Sequence, residues 1–526
     1  MDVDYIIVGA GSAGCILADR LSANSRHKVL VLEAGGSDAS FWIKLPLGYG
    51  MTFNDPRVNW RYTAASDPGL NGRKANWPRG RVLGGSGSIN AMAYLRGLAH
   101  DFDDWERAGA TGWGWDTVRE TYGRLEHPHG PIHVADLRAE MHPFTRHFLS
   151  AATDMGWPQV EDMNAEETEG LGFYRSNLRQ GRRWSSADAF LRPAKQRANV
   201  QIVTGALVER LTFEARRVTG LTYRIGDQTH HVTAKAEVTL SAGAVNSPQL
   251  LQLSGIGRAA HLQSVGIDVV QDLSEVGQGM QDHLAITHHF AASEPTLNGV
   301  LGTVFGKITA GARYLLTRRG PLSVPVNQVG GYVRSSPDLP APDMQVYCNP
   351  ASYSTTPDGR PDLKPDPGFI LSVQPCRPTS RGSVTITSAD PTKAPEIQPN
   401  SLVTEKDRGD AVHACEVLWA LSQTPSMRRV TTSPHAPDLE GMNKDAMLEN
   451  FRNRAATNFH PSCTCRMGHD ASNSVLDHRL RVHGVGGLRV VDASSFPNLT
   501  SGNTNAPTMM LAMRAADLIL EDARST

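Results

Sequence analysis

Asp4-Tyr-Ile-Ile-Val8-Gly9-Ala-Gly11-Ser-Ala-Gly14 is the stretch whose reading decides the fold. The run from Asp4 to Val8 is short, apolar and β-branched, the pattern of a buried parallel strand. Cys15 to Leu21 has apolar positions at helical spacing, and a second buried run, Val29 to Leu32, ends at Glu33, nineteen residues after Gly14. Strand, glycine turn, helix, strand and acidic residue together form a dinucleotide-binding unit. Gly9 permits the tight turn, Gly11 lets a pyrophosphate approach the backbone, and Gly14 lets helix and strand pack closely. The helix N-terminus offers free N–H groups and a positive dipole end to phosphates, and Glu33 can accept from ribose hydroxyls. NAD and FAD share this half, so the motif leaves the choice open.

The surrounding composition sets bounds. At 526 residues, the chain is long enough for two domains sharing a large interface. With 40% hydrophobic and 20% charged residues and a net charge of -1, nothing suggests nucleic acid as a partner. The six cysteines do not form a disulfide framework. The N-terminus lacks the pattern of a signal peptide and no apolar run reaches the length of a membrane span, so a cytoplasmic setting is expected.

Arg79 to Asn90 reads RGRVLGGSGSIN, too rich in glycine and serine for a regular element yet bounded by apolar residues. Its backbone groups need partners, which a cofactor would supply. Asp101 to Trp115 predicts a helix and a turn, with Trp105, Trp113 and Trp115 as packing residues. The histidines of segment 127–172 show no metal-ligand spacing. Residues 199–240 alternate as strands and read as a small insertion returning to the nucleotide domain. Ser241 to Gln249 is a second strand-to-helix turn, with Pro248 expected in the first turn of its helix. Residues 290–450 predict a mostly antiparallel sheet, with strands at Asp343 to Cys348, Phe369 to Val373 and Ser383 to Thr387, covered by helices near 300–318 and 404–422. The fold class is therefore α/β: a Rossmann-like nucleotide domain plus a second, mostly antiparallel domain. The expected division is 1–155, 195–288 and 455–526 for the first and 156–194 and 289–454 for the second.

The chemistry gathers after residue 455. Asn458-Phe-His460-Pro-Ser-Cys-Thr-Cys465-Arg-Met-Gly468 precedes Leu488-Arg-Val-Val-Asp492 and Ser501-Gly-Asn503-Thr-Asn505-Ala-Pro507-Thr508. Leu488 to Val491 is a buried strand delivering Asp492 at its carboxyl end, where open α/β sheets bind ligands. Pro507 fits the first turn of a closing helix. His460 has three readings: a zinc ligand with Cys463, Cys465 and His469, a structural histidine, or a catalytic base.

These motifs together resemble the glucose–methanol–choline (GMC) family of flavoenzymes over nearly the whole chain, most closely its choline-dehydrogenase-like branch, which includes oxidases of furfuryl and other aromatic alcohols. The resemblance implies FAD. It places Gly9, Gly11, Ser12, Ala13, Gly14, Glu33 and Ala34 at its ADP half, with Val208, Ala242 and Gly243 nearby. Trp60, Arg81, Val82, Gly87, Ser88, Asn90, Ala91, Met92 and Ala93 would wrap the flavin and pyrophosphate, and Asp492, Ala493, Asn505 and Thr508 would hold the flavin side. The place where some relatives carry a histidine attached to FAD is Ile89 here, which implies non-covalent FAD. The family's catalytic histidine maps to His460, and its second active-site position to Asn503. Cys465 matches the family cysteine, which weakens the zinc reading, whereas Cys463 departs from the usual small residue. Phe459, Gln374 and Arg377 are candidate substrate-cavity residues. The expected reaction is oxidation of a primary alcohol to an aldehyde, by hydride transfer to flavin N5 with His460 as base. Molecular oxygen or another acceptor would then take the electrons. An FAD-containing lyase and an NAD-dependent dehydrogenase are the alternatives.

Overall fold

The computed structural model describes residues 2–166, 168–356, 361–433 and 439–525, and its first sheet grows from the N-terminal run. β1 (Asp2–Val8) and β2 (Val29–Glu33) pair in parallel, joined by α1 (Ser12–Ser22). Ile6, Ile7, Val31 and Leu32 are buried, as strands covered on both faces require. β3 (Val200–Thr204) adds in parallel beyond β2, while β4 (Leu207–Glu214), β5 (Arg217–Ile225) and β6 (Gln228–Leu240) form an antiparallel meander. The 13 residues of β6 serve twice. Its first part pairs with β5, and its second part runs parallel to the strand Leu488–Val490. The order is β4–β5–β6–β1–β2–β3. Residues 199–240 are thus part of the central sheet, a correction to the expected insertion. Leu211, Leu221, Val238 and Leu240 join the same buried cluster as β1.

Two local expectations also change. α2 (Gly243–Leu253) starts five residues before Pro248, which lies inside the helix. Proline removes the N–H that would bond the Ala244 carbonyl. That carbonyl instead accepts from the buried Thr464 hydroxyl at 2.7 Å, so the proline is tolerated. The glycine-serine loop does contain a regular turn, a 3₁₀ turn over Gly85–Ser88.

The second sheet is built from β7 (Leu284–Ala291), β8 (Val329–Val333), β9 (Met344–Asn349) and β10 (Gly368–Pro375), in the antiparallel order β7–β10–β9–β8. α4 (Glu405–Gln423) packs on β10, whereas α3 (Val304–Thr317) packs on the helix Leu297–Leu301 and the turn Pro321–Ser323, a correction to its expected place over the sheet. Alternation sorts its residues. Met344, Val346, Cys348, Phe369, Leu371 and Val373 pack with Ala411, Cys415 and Leu418 of α4. Tyr347, Asn349, Ile370 and Ser372 face the other way, into a cavity. The short strand Ala456–Thr457 pairs with the edge of β7 and leads directly to His460. α5 (Asn505–Ser525) then packs along α1 and closes the first layer.

Candidate active site

A cavity of about 750 Å³ runs from the glycine turn to the second sheet, within the roughly 300–1,000 Å³ typical of ligand sites. At one end Gly9, Gly11, Ser12 and Ala13 line it. Gly9 has φ +97, and a side chain on Gly14 would strike the Gly9 carbonyl at 1.9 Å, so the turn and the close helix packing both require glycine. α1 begins there with no side-chain cap and no acidic residue in its first turn, which leaves N–H donors facing the cavity. Glu33 lines the cavity and accepts from the N–H groups of Ala10 and Gly35, both at 2.8 Å. Burial pushes its carboxyl up to about 7. Asp492 ties the start of α2 to the cavity wall by accepting from Gly243 N at 2.8 Å and Ser247 Oγ at 2.6 Å. Ser12 Oγ donates to Asn505 Oδ1 at 2.6 Å, bringing the N-termini of α1 and α5 together.

At the other end stands His460, 7% exposed. Its Nδ1 lies 3.0 Å from His283 Nδ1, and His283 Nε2 lies 2.7 Å from the Cys376 carbonyl. A carbonyl only accepts, so His283 carries its proton on Nε2 and accepts at Nδ1. His460 must then donate from Nδ1, which leaves the lone pair of Nε2 turned toward the cavity. Asn503 Nδ2 donates to that lone pair at 3.1 Å. Burial holds both imidazoles neutral: His283 is lowered to about 4, and His460 well below its ordinary value, with His283 and the Arg79 cation adding to the effect. The backbone here is strained. Phe459 has φ 64, a left-handed conformation uncommon for a bulky residue. It is pinned by Arg79 Nη2, which donates to the Phe459 carbonyl at 2.6 Å, and by Asp282 Oδ1, which accepts from His460 N at 2.7 Å.

Residues 3–285 and 378–512 match the N- and C-terminal sequence profiles of the GMC oxidoreductases. The chain belongs to the GMC oxidoreductase family. It is 40% identical to an alcohol dehydrogenase [acceptor] of Pseudomonas putida, over 98% of this chain and 95% of that one. It is 39% identical to an oxygen-dependent choline dehydrogenase of Vibrio vulnificus, over 98% and 94%. Among solved structures it resembles pyridoxine 4-oxidase from Mesorbium loti, with a TM-score of 0.87, 30% identity and 98% of both chains covered. As a GMC oxidoreductase it acts on CH–OH donors, and the family implies FAD.

Most residues picked from the sequence line this GMC cavity. At the nucleotide end Ala34, Trp60, Val208, Ala242 and Gly243 do so, and nearer His460 so do Asn90, Ala91, Met92 and Ala93, with Ala493, Asn505, Thr508, Phe459 and Asn503. Others sit behind it. Gly14 packs on β1, the Arg81 guanidinium lies 4.9 Å over the Trp60 ring, and Val82 is buried beside Ile43. Gly87 lies against Ser12, and Ser88 Oγ donates to the Leu83 carbonyl at 2.7 Å.

The two substrate candidates of the second sheet are elsewhere. Arg377 is in an ion pair with Asp104 on the helix Ala99–Arg107. Gln374 is fully buried in a directional chain of amides. Asn458 Nδ2 donates to Gln374 Oε1, Gln374 Nε2 to Gln345 Oε1 at 3.0 Å, and Gln345 Nε2 to Asn503 Oδ1 at 3.5 Å. Among the described residues no group of three His, Cys, Asp or Glu converges as a metal site. Cys463 Sγ lies 3.3 Å from Gln281 Oε1, and Cys465 N donates to the Ser494 carbonyl at 2.8 Å.

Sequence reasoning missed His283, Asp282 and Arg183. Gln281-Asp-His283 links the short strand Gln278–Met280 to β7, and only its nearness to His460 in space gives it meaning. Arg183 is 1% exposed and clamps the glycine-serine loop, donating to Gly87 O at 3.1 Å and to Asn90 Oδ1 and Asn90 O at 2.6 Å each.

Proposed function

We propose that the chain oxidises an uncharged primary alcohol to its aldehyde, with His460 Nε2 as the base and FAD bound non-covalently. The observation that carries this reading is the fixed lone pair of His460 Nε2, aimed into the cavity beside Asn503 Nδ2. A substrate hydroxyl that replaces the direct bond between them would donate to Nε2 and accept from Asn503 Nδ2, so its oxygen is oriented as its proton leaves. The cleft suits a dinucleotide: uncapped N–H groups at α1 for phosphates and the N-terminus of α5 further along. Bound there, FAD would supply the two-electron acceptor for the carbinol hydrogen and its electron pair. Ile89 lines the cavity without a nucleophilic atom, which supports non-covalent attachment at that position.

The preference for an uncharged alcohol rests on the lining. Among the described residues its carboxylates are Glu33 and Asp492, both at the nucleotide end. Beside His460 the Arg79 cation lines the cavity, while the Asp282 carboxylate that accepts from His460 N lies behind the cavity wall. A quaternary ammonium such as choline would lie there with the Arg79 cation and no carboxylate on the cavity wall to meet it, at considerable desolvation cost. Phe459 and Phe53, with ring centroids 5.6 Å apart, present apolar faces, and Asn349 Oδ1 is a buried acceptor suited to a polar substituent.

The test is the visible spectrum of the purified protein under anaerobic conditions, before and after benzylic, furfuryl and aliphatic alcohols and choline. Bleaching of the flavin bands by a neutral alcohol and not by choline is expected. Recovery on admitting air would identify oxygen as the acceptor. A yellow protein that no alcohol bleaches would overturn the reaction and favour the lyase chemistry.

A further inference from the structure

A surface helix ordinarily turns polar residues to solvent, and α3 does the reverse. Gly306, Ala310 and Tyr314 are its buried face. Val304, Phe305, Ile308, Leu315 and Leu316 are between 60% and 85% exposed. At about 100° per residue these five occupy roughly 120° of the helix surface, centred opposite the buried face. Lys307 and Arg313 fall on the two boundaries between the faces. Two further exposed aromatics, Phe41 and Trp42 at 49% and 41%, lie beside the helix, with the Phe41 ring 6.5 Å from that of Tyr314 on its buried face.

The charge around the patch is predominantly positive. No Asp or Glu occurs between Glu294 and Asp338, while Lys307, Arg313, Arg318 and Arg319 do. Glu140 approaches Arg313 and Arg319, each at 3.9 Å, and leaves a cationic excess of several charges in a chain of net charge -1. A two-fold contact with a second copy would set these cations against their own equivalents, which is unfavourable. An anionic bilayer matches both features. Apolar side chains enter the acyl boundary while flanking cations reach the headgroups, the arrangement of an interfacial helix. Among the described residues no helix is long and apolar enough to cross a membrane, so the fit is to lying on a bilayer.

We propose that α3, with Phe41 and Trp42, docks this protein onto an anionic lipid surface. The position gives the contact a use. Ala310 of α3 shares a buried cluster with Leu297, Leu301 and Val326, and Tyr49 packs against it. Val326 and Tyr49 also line the cavity, so the docked face adjoins the cavity wall and places it near molecules dissolved in lipid.

The test is co-sedimentation of the holoprotein with phosphatidylcholine vesicles, with and without phosphatidylglycerol. Wild type should bind the anionic vesicles at least about tenfold more tightly and lose that difference at high salt. The double variant Phe305→Ser, Ile308→Ser removes two exposed side chains and should weaken binding by at least about tenfold. Its melting temperature and flavin content should be unchanged. Lys307→Glu should weaken binding to anionic vesicles alone. A wild type that stays in the supernatant with both vesicles overturns the proposal, as does a double variant that sediments like wild type. Concentration-dependent dimerisation abolished by the same variant, without lipid binding, would assign the face to a second copy instead. The readout is independent of turnover, so it stands or falls apart from the alcohol reaction.

Discussion

The two ring nitrogens of His460 have different neighbours, and that asymmetry decides which end can act as a base. Replacing His460 by Ala should slow alcohol-driven bleaching by about 10²–10⁴-fold while leaving the protein yellow, a comparison made by anaerobic stopped flow. His283 acts through His460. An Asn at 283 keeps an acceptor where Nδ1 was, whereas Leu keeps none, so His283→Asn should retain most of the rate and His283→Leu should not. The same pair predicts how kcat/KM depends on pH. With His460 held neutral by burial, the limb reporting the base should lie well below pH 6.5. His283→Leu should shift that limb as well as lower the plateau, which a general loss of structure would not do. The rear of this pair ends at a carbonyl, so a proton taken at Nε2 has no path out behind the ring. It must leave through the cavity that admits the substrate.

Elements carry the residues to these positions, and two of them depend on a single side chain. Thr464 fills the bond that Pro248 denies to Ala244. Thr464→Val should cost about 1–3 kcal/mol by leaving a buried carbonyl unsatisfied. In a Pro248→Ala background the helix supplies its own N–H, so the cost should be smaller, as chemical denaturation of the four proteins would reveal. Arg183→Met should lower the melting temperature and the flavin content together, because the carbonyls of Gly87 and Asn90 lose their donor. The N-terminal strand-turn-helix and the strands β9 and β10 were legible in the sequence because hydrophobic period and glycine placement are local signals, whereas β7 and β8 were not, and Ser383 to Thr387 pairs in a separate sheet. His460 was legible too, since its motif stands within a few residues. Asn503 was legible with it, but its other partners were not. Asp282 and His283 meet it only because β7 pairs with the strand Ala456–Thr457, and pairing between strands far apart in sequence leaves no local mark. Pro248 misled for a related reason: the hydroxyl that makes a mid-helix proline tolerable lies more than two hundred residues away.

For the whole molecule, buried titratable groups of opposite tendency set the response to acid. His283, lowered to about 4, binds fewer protons folded than unfolded, so its contribution is full above pH 6.5 and lost as pH falls toward 4. Glu33, raised to about 7, and Asp282, raised to about 6, act in the opposite sense, and their contributions are lost as pH rises through those values. His283→Asn removes one side of this balance. Its deficit in melting temperature against wild type should therefore narrow from pH 6 to pH 5, by the equivalent of at most about 1.4 kcal/mol per pH unit. A gap that stays constant would show that His283 does not titrate in this range. The turn that holds His460 is pinned from two sides, by Arg79 beside the glycine-serine loop and by Asp282 beside β7. The cradle for the dinucleotide belongs to the first layer. A molecule whose layers have folded but not seated against each other would therefore be coloured and idle, and the ratio of turnover to absorbance becomes a gauge of assembly quality in any preparation.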